Sequence, residues 1–292
     1  MRKDGRKISV KEVDPMYAVV PYFMPKRYDA QNMIELFIPE EPMKEYINKK
    51  RAEGLNISHM ALVMAAYVRT ISQFPALNRF VVNKKIYARN EIAVGMVVLK
   101  NGAEGTMNKV YFDQEDTIFD INRKLDKYVE DNRKAENSNA TDDLIRTLLS
   151  VPGLLSVASV ILRWMDKHGL LPKAIIKASP FHTSMVLTNL ASIRTNHIYH
   201  HIYDFGTTSQ IMAMGNLREM PKKGKNGEIE LERCIPIGLV MDERIASGSY
   251  YAKAFALMRR LLKNPELMEE KPETVIREYL KPKKQKKEKK GE

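Results

Sequence analysis

The residues with the most chemistry to offer lie in Gly238-Leu239-Val240-Met241-Asp242-Glu243-Arg244-Ile245-Ala246-Ser247-Gly248. The stretch reads as an apolar strand, a tight turn and the start of a helix. Two carboxylates, a guanidinium and a hydroxyl therefore gather where the chain leaves a sheet. Glu243 has two open roles. An ordinary glutamate titrates near ~4.3 and matches a thiol near ~8.5 badly, but burial can lift it towards roughly 6–7, where general-base work is efficient. Alternatively, its carboxylate forms a structural ion pair with a local arginine such as Arg244. His200 and His201 are the second source of a base, at about pKa 6.5. Adjacent side chains on a strand face opposite sides, so only one of the two imidazoles should point to any given face. Glu243 could then orient it, as carboxylates do in catalytic triads. His59, His168, His182 and His197 show no metal spacing and Cys234 has no partner, so no metal is expected. Neither standard Gly-rich phosphate loop is present.

The elements that must position these groups follow from pattern. Residues 34–39 read as a strand and 41–52 as a polar helix ended by Gly54. Ser58 is an N-cap for a helix to about Gln73, closed by Pro75, with Leu62, Ala65, Ala66 and Val68 pointing to a buried element. Residues 85–88 and 91–99 read as strands. Asp116 is placed to cap an amphipathic helix carrying Ile118, Ile121, Leu125 and Val129. Residues 142–149 and 153–168 read as apolar helices, closed by Gly169 and Pro172. From 184 onward strands dominate: 184–190, 198–205, 210–214 and 235–241, with Asn226-Gly227 signalling a hairpin. A closing helix over 249–263 sets Tyr251, Phe255, Met258 and Leu262 on one stripe. Helices mixed with a largely antiparallel sheet give an α+β fold.

The turn at 242–248 with its helix, Thr188-Asn189-Leu190 and Pro75-Ala76-Leu77-Asn78 resemble, in order and spacing, the chloramphenicol acetyltransferase-like superfamily. The resemblance covers about residues 30–270. Within it the chain is most similar to the catalytic domain of the dihydrolipoyl acyltransferases of 2-oxo acid dehydrogenases. It implies a two-layer fold with a mixed, largely antiparallel sheet and packed helices, to which the region near 145–178 is a helical insertion. That family carries Asp-His-Arg-x-x-Asp-Gly at this turn. Asp242, Arg244 and Gly248 keep the pattern, Glu243 replaces the His, and Ser247 replaces the Asp that binds an arginine. Gly248 is expected to serve close packing at the helix start.

The resemblance implies acyl transfer between a coenzyme A thioester and a thiol or hydroxyl acceptor, small or carrier-bound, in a pocket between subunits of a homotrimer. Thr188 falls at the position of the hydroxyl that stabilises the oxyanion. His200 and His201 fall on the strand that lines the acceptor pocket in chloramphenicol acetyltransferases. His200-x-x-x-Asp204 mimics the family's His-x-x-x-Asp, but Phe205 displaces the glycine to Gly206, so it is a decoy. The alternative implied by the lost His is a catalytically inactive trimeric scaffold or binding protein. No lipoyl-bearing segment is visible in this chain.

Of 292 residues, 44% are apolar and 29% charged, as in a globular protein. The net charge of +12 sits mostly at the ends: five cations against Asp4 in residues 1–11, and seven lysines against Glu288 and Glu292 in 281–292. Residues 1–14 are expected to be a loose basic arm, 15–280 a single domain, and 281–292 a disordered Lys-rich tail. A body of about +3 gives no reason to expect nucleic acid. The longest uncharged run, 147–162, is broken by Pro152-Gly153 and too short to span a bilayer. It is expected to be a lid or packing insertion. The absence of a signal segment and the lone Cys234 place the chain in the cytoplasm.

Overall fold

A computed structural model describes residues 2–99, 105–134, 150–224 and 226–280. The strands are β1 (Gly5–Lys7), β2 (Gln31–Pro39), β3 (Arg79–Val82), β4 (Lys85–Arg89), β5 (Ile92–Leu99), β6 (Gly105–Phe112), β7 (Met185–Asn189), β8 (Gln210–Met214), β9 (Arg218–Lys223) and β10 (Ile229–Asp242). The described helices are α1 (Pro15–Phe23), α2 (Glu40–Ala52), α3 (His59–Gln73), α4 (Ile118–Lys134), α5 (Leu154–His168), α6 (Lys173–Ala178) and α7 (Gly248–Lys263).

The main sheet runs β2-β10-β8-β7-β5-β6, with β9 added to β10. β7 pairs parallel with β5 and β8, and the other pairs are antiparallel. A small sheet, β1-β4-β3, lies beside it. Period-2 alternation sorts the central strands. Met185 and Leu187, Met212 and Met214, and Ile237, Leu239 and Met241 enter the core with α3 and α7. The opposite face carries Val186, Ile211 and Val240, packed against Ile202.

Helix α3 is buried on every side from Ala61 to Ser72, as expected of a helix apolar all round. Ser58 accepts from Ala61 N at 3.1 Å and caps it. Tyr251, Phe255, Met258 and Leu262 form the buried stripe of α7. The cap of α4 falls one residue later than Asp116. Thr117 accepts from Asp120 N, and Asp120 accepts from Thr117 N, a reciprocal cap. Asp116 instead accepts from Asp113 N at 2.7 Å.

Two expectations fail here. Residues 1–14 are not a loose arm: β1 pairs with β4, and buried Arg2 bonds Asp4 at 2.9 Å and Asp166 at 2.7 Å. Residues 198–205 form no strand, because no ladder partner is offered. The segment crosses the outer face of the sheet, with Ile202 as its anchor. Gly238 makes the crossing possible, since a side chain there would meet the Ile198 carbonyl oxygen at 2.4 Å. The helix expected over 142–149 and the Lys-rich tail over 281–292 lie outside the described residues.

Candidate active site

The long strand β10 delivers Asp242, Glu243 and Arg244 to the sheet edge, where the chain turns into α7. Arg244 closes a bidentate pair with Asp242, Nε to Oδ1 at 2.8 Å and Nη2 to Oδ2 at 2.7 Å. Its Nη1 donates to the carbonyls of Met24 and Pro25 at 3.2 and 3.1 Å. Asp242 is fully buried and Arg244 nearly so. A second buried guanidinium, Arg27, has Nε 3.5 Å from Asp242 Oδ2 and donates to the carbonyls of Tyr203 at 2.6 Å and Gly206 at 3.0 Å. Burial pushes Arg27 below its ordinary value, and the charge of Asp242 offsets part of that. One carboxylate thus ties together α1's exit, β10 and the 203–206 loop. Tyr251 adds a bond from its hydroxyl to Asp242 O at 2.9 Å.

Arg244 is therefore engaged by Asp242, and the expected pairing of Arg244 with Glu243 does not form. The Glu243 carboxylate has no ion-pair partner among the described residues, and the side chain is half-buried. Its backbone N–H donates to Ala30 O at 2.8 Å, which fixes the turn. Tyr17, from α1, is a neighbour that the sequence did not flag. Burial raises its phenol, the Ser247 hydroxyl draws it down, and the charge of Glu243 raises it further.

Ser247 caps α7 by accepting from Tyr250 N at 3.1 Å. It holds no arginine, and Asp242 has taken both guanidiniums. Gly248 does not serve close packing, because a Cβ there would meet nothing within 4 Å.

Thr188 lies on the outer face of β7, half-buried, with no side-chain hydrogen bond among the described residues. Register places it in a row with Ala213 and Gly238. Glu243 is five residues beyond Gly238, about 17 Å along the strand, and two strand spacings sideways add about 10 Å. Thr188 and Glu243 of one chain are therefore roughly 19 Å apart and do not converge.

The alternation argument for His200 and His201 fails with the missing strand. His201 is exposed, and His200 Nδ1 contacts His201 O at 2.9 Å. Their rings cluster with Tyr203 on the outside of the loop. Asp204 belongs to the same loop and accepts from Arg27 N at 2.9 Å.

The same loop brings in a pair that spacing did not reveal. His197 Nε2 lies 2.9 Å from Glu35 Oε1, while His197 Nδ1 is buried without a partner. Glu35 pairs with Gly238 across β2 and β10, so this dyad sits in the row that contains Thr188. The two residues are 162 positions apart in sequence, and only the strand register brings them together. Among the described residues no cluster of His, Cys, Asp or Glu could hold a metal ion.

A sequence model of the 2-oxoacid dehydrogenases acyltransferase (catalytic domain) matches residues 182–269, which contain Thr188, β8, β10 and the turn. No curated protein sequence matches the chain. The structure is similar to a probable dihydrolipoamide acetyltransferase from Listeria monocytogenes 4b F2365, with a TM-score of 0.55, 13% identity, and coverage of 88% of this chain and 93% of that one. It is similar to the cubic core of the pyruvate dehydrogenase multienzyme complex, with a TM-score of 0.57, 9% identity, and coverage of 87% and 88%. It is also similar to a chloramphenicol acetyltransferase, with a TM-score of 0.52, 10% identity, and coverage of 88% and 99%. The chain has the chloramphenicol acetyltransferase-like acyltransferase fold, and its segment 182–269 matches the acyltransferase catalytic domain of the 2-oxoacid dehydrogenases.

Proposed function

We propose that the chain is a coenzyme A-dependent acyltransferase in which Glu243 takes the place of the usual catalytic His. The observation that carries this reading is the carboxylate of Glu243, without an ion-pair partner among the described residues at a turn whose other charged groups are locked. Arg244, the adjacent cation, belongs to Asp242 and leaves this carboxylate available to an acceptor. In the proposed step Glu243 removes the proton from a thiol or hydroxyl acceptor, which attacks the thioester carbonyl. The Thr188 hydroxyl donates to the oxyanion of the tetrahedral intermediate, a contact worth roughly 3–4 kcal/mol when lost. Collapse expels the coenzyme A thiolate, which takes up the proton from Glu243.

The separation within one chain requires Thr188 and Glu243 from different copies. A homotrimer with its pocket between subunits meets that requirement, and the acceptor is a small molecule or a carrier-bound group. The single free Cys234 fits a cytoplasmic setting. Calorimetric titration with coenzyme A and acetyl-coenzyme A tests the reading. Saturable binding near one per chain, with turnover lost in Glu243→Gln, is the expected result. No binding at millimolar ligand would move the weight to an inactive trimeric scaffold of the same fold.

A further inference from the structure

The insertion expected to be a lid turns its apolar surface outward. Val157, Val160, Ile161 and Trp164 occupy positions i, i+3, i+4 and i+7 of α5, the spacing of one helical stripe. They are 57%, 66%, 52% and 56% exposed. The helix is anchored from its other side. Asp166 is buried against Arg2 at 2.7 Å, Leu171 is buried, and Lys109 bonds the Ile176 carbonyl of α6 at 2.6 Å. The orientation is thus fixed by an ion pair and an apolar plug, and the stripe is left facing solvent.

The exposed charges of the insertion itself have one sign. Between residues 150 and 178 the only acid is Asp166, which is buried and paired. The cations Arg163, Lys167, Lys173 and Lys177 are all exposed. Arg163 and Lys167 also line an open cleft of about 310 Å³ shared with Lys26 and Lys84. Residues 25–27, just beyond the Met24 C-cap of α1, line that cleft too, as does the exposed Asp204, and α1 exposes Met16, Val19 and Phe23 at i, i+3 and i+7. Exposed apolar residues including tryptophan, bordered on α5 and α6 themselves by exposed cations and no exposed acid, suit an anionic lipid surface. A protein partner would present its own mixture of charges and gives no reason for this uniformity. Among the described residues no helix is long and apolar enough to cross a membrane, so the contact is in the plane of the interface.

We infer that α5 is a peripheral membrane-docking element, inserting Val157, Val160, Ile161 and Trp164 among the acyl chains of an anionic bilayer while the flanking lysines and arginines meet lipid phosphates. Trp164 is the only tryptophan of the chain, so its emission reports on this helix alone. The test mixes the full chain with vesicles of phosphatidylcholine containing phosphatidylglycerol, and with vesicles of phosphatidylcholine only. A blue shift of Trp164 emission on the anionic vesicles, weakened by salt, is expected. It should persist when the lysines of 281–292 are changed to glutamine.

The double variant Val160→Glu, Ile161→Glu should bind at least about tenfold more weakly. Both sites are exposed, so its melting temperature should match that of the parent. Three results would overturn the inference: no shift on anionic vesicles, co-sedimentation with vesicles without a Trp164 shift, or a shift that follows protein concentration without lipid. The second would assign membrane binding to the tail, and the third would assign the stripe to a second copy of the chain.

Discussion

Replacing Asp242 by alanine should be the most damaging single change near the turn. The side chain is fully buried and is the one carboxylate facing two buried guanidiniums, Arg244 at 2.7 Å and Arg27 at 3.5 Å. The native cluster carries one net positive charge. Asp242→Ala leaves two buried cations, held by carbonyls of Met24, Pro25, Tyr203, Asp204, Gly206 and Val81. Removing one partner from a buried ion pair costs about 3–5 kcal/mol, a large part of the ~5–15 kcal/mol that holds a domain together. Arg244→Met should cost less, because it leaves Asp242 facing Arg27 in a neutral pair. Urea unfolding at constant m-value measures both. In the double variant the loss should fall short of the sum by about 0.5–3 kcal/mol, since the residues share one network. An Asp242→Ala loss under about 1 kcal/mol, or an Arg244→Met loss equal to it, would refute the account of a single shared carboxylate.

Four further outcomes are expected. Ser247→Ala should cost about 1 kcal/mol through the lost α7 cap, read from the urea midpoint. Gly206→Ala should cost more than about 1 kcal/mol and lower the melting temperature, because φ is +87° and the new Cβ would meet the Phe181 carbonyl oxygen at 2.1 Å. Burial, helped by the charge of Arg89, lowers Lys109 to about 7. Its folded value is thus below its unfolded value, the unfolded chain binds more protons between about pH 7 and 10.5, and stability should rise with pH across that window. In Lys109→Met the rise, followed by urea midpoints, should be smaller. Finally, Glu243→His with Ser247→Asp restores the stronger base and keeps an N-cap residue. Acyl transfer should rise, because an imidazole is the better-matched base near neutral pH, and no gain over the parent in a thiol-transfer assay would argue that Glu243 is not the base.

Local patterns that have only one structural solution were legible in the sequence. Ser58 before an apolar run gave the start of α3, and the Tyr251-to-Leu262 stripe gave the buried side of α7. The 198–205 segment misled because Ile198, Tyr199, Ile202 and Tyr203 look like strand residues. A strand also needs a free ladder beside it, and composition does not contain that. The segment lies across the sheet over Gly238 instead, so the His200–His201 alternation had no pleat to act on. Helix α5 was legible as an apolar helix, but an apolar pattern is the same whether it faces a core or solvent. Its direction was decided by Arg2 and Asp166, 164 residues apart.

The same limit explains the site. The turn could be read because its residues are consecutive, and Asp242 and Arg244, two positions apart, can reach each other along the same strand end. The fate of Glu243 could not be read, because it depended on Arg27, which arrives from the exit of α1 and adds its own charge beside Asp242. With both guanidiniums gathered on Asp242, the adjacent carboxylate is left without an ion-pair partner among the described residues. That imbalance, local to three consecutive residues, is what leaves Glu243 free for the role proposed above.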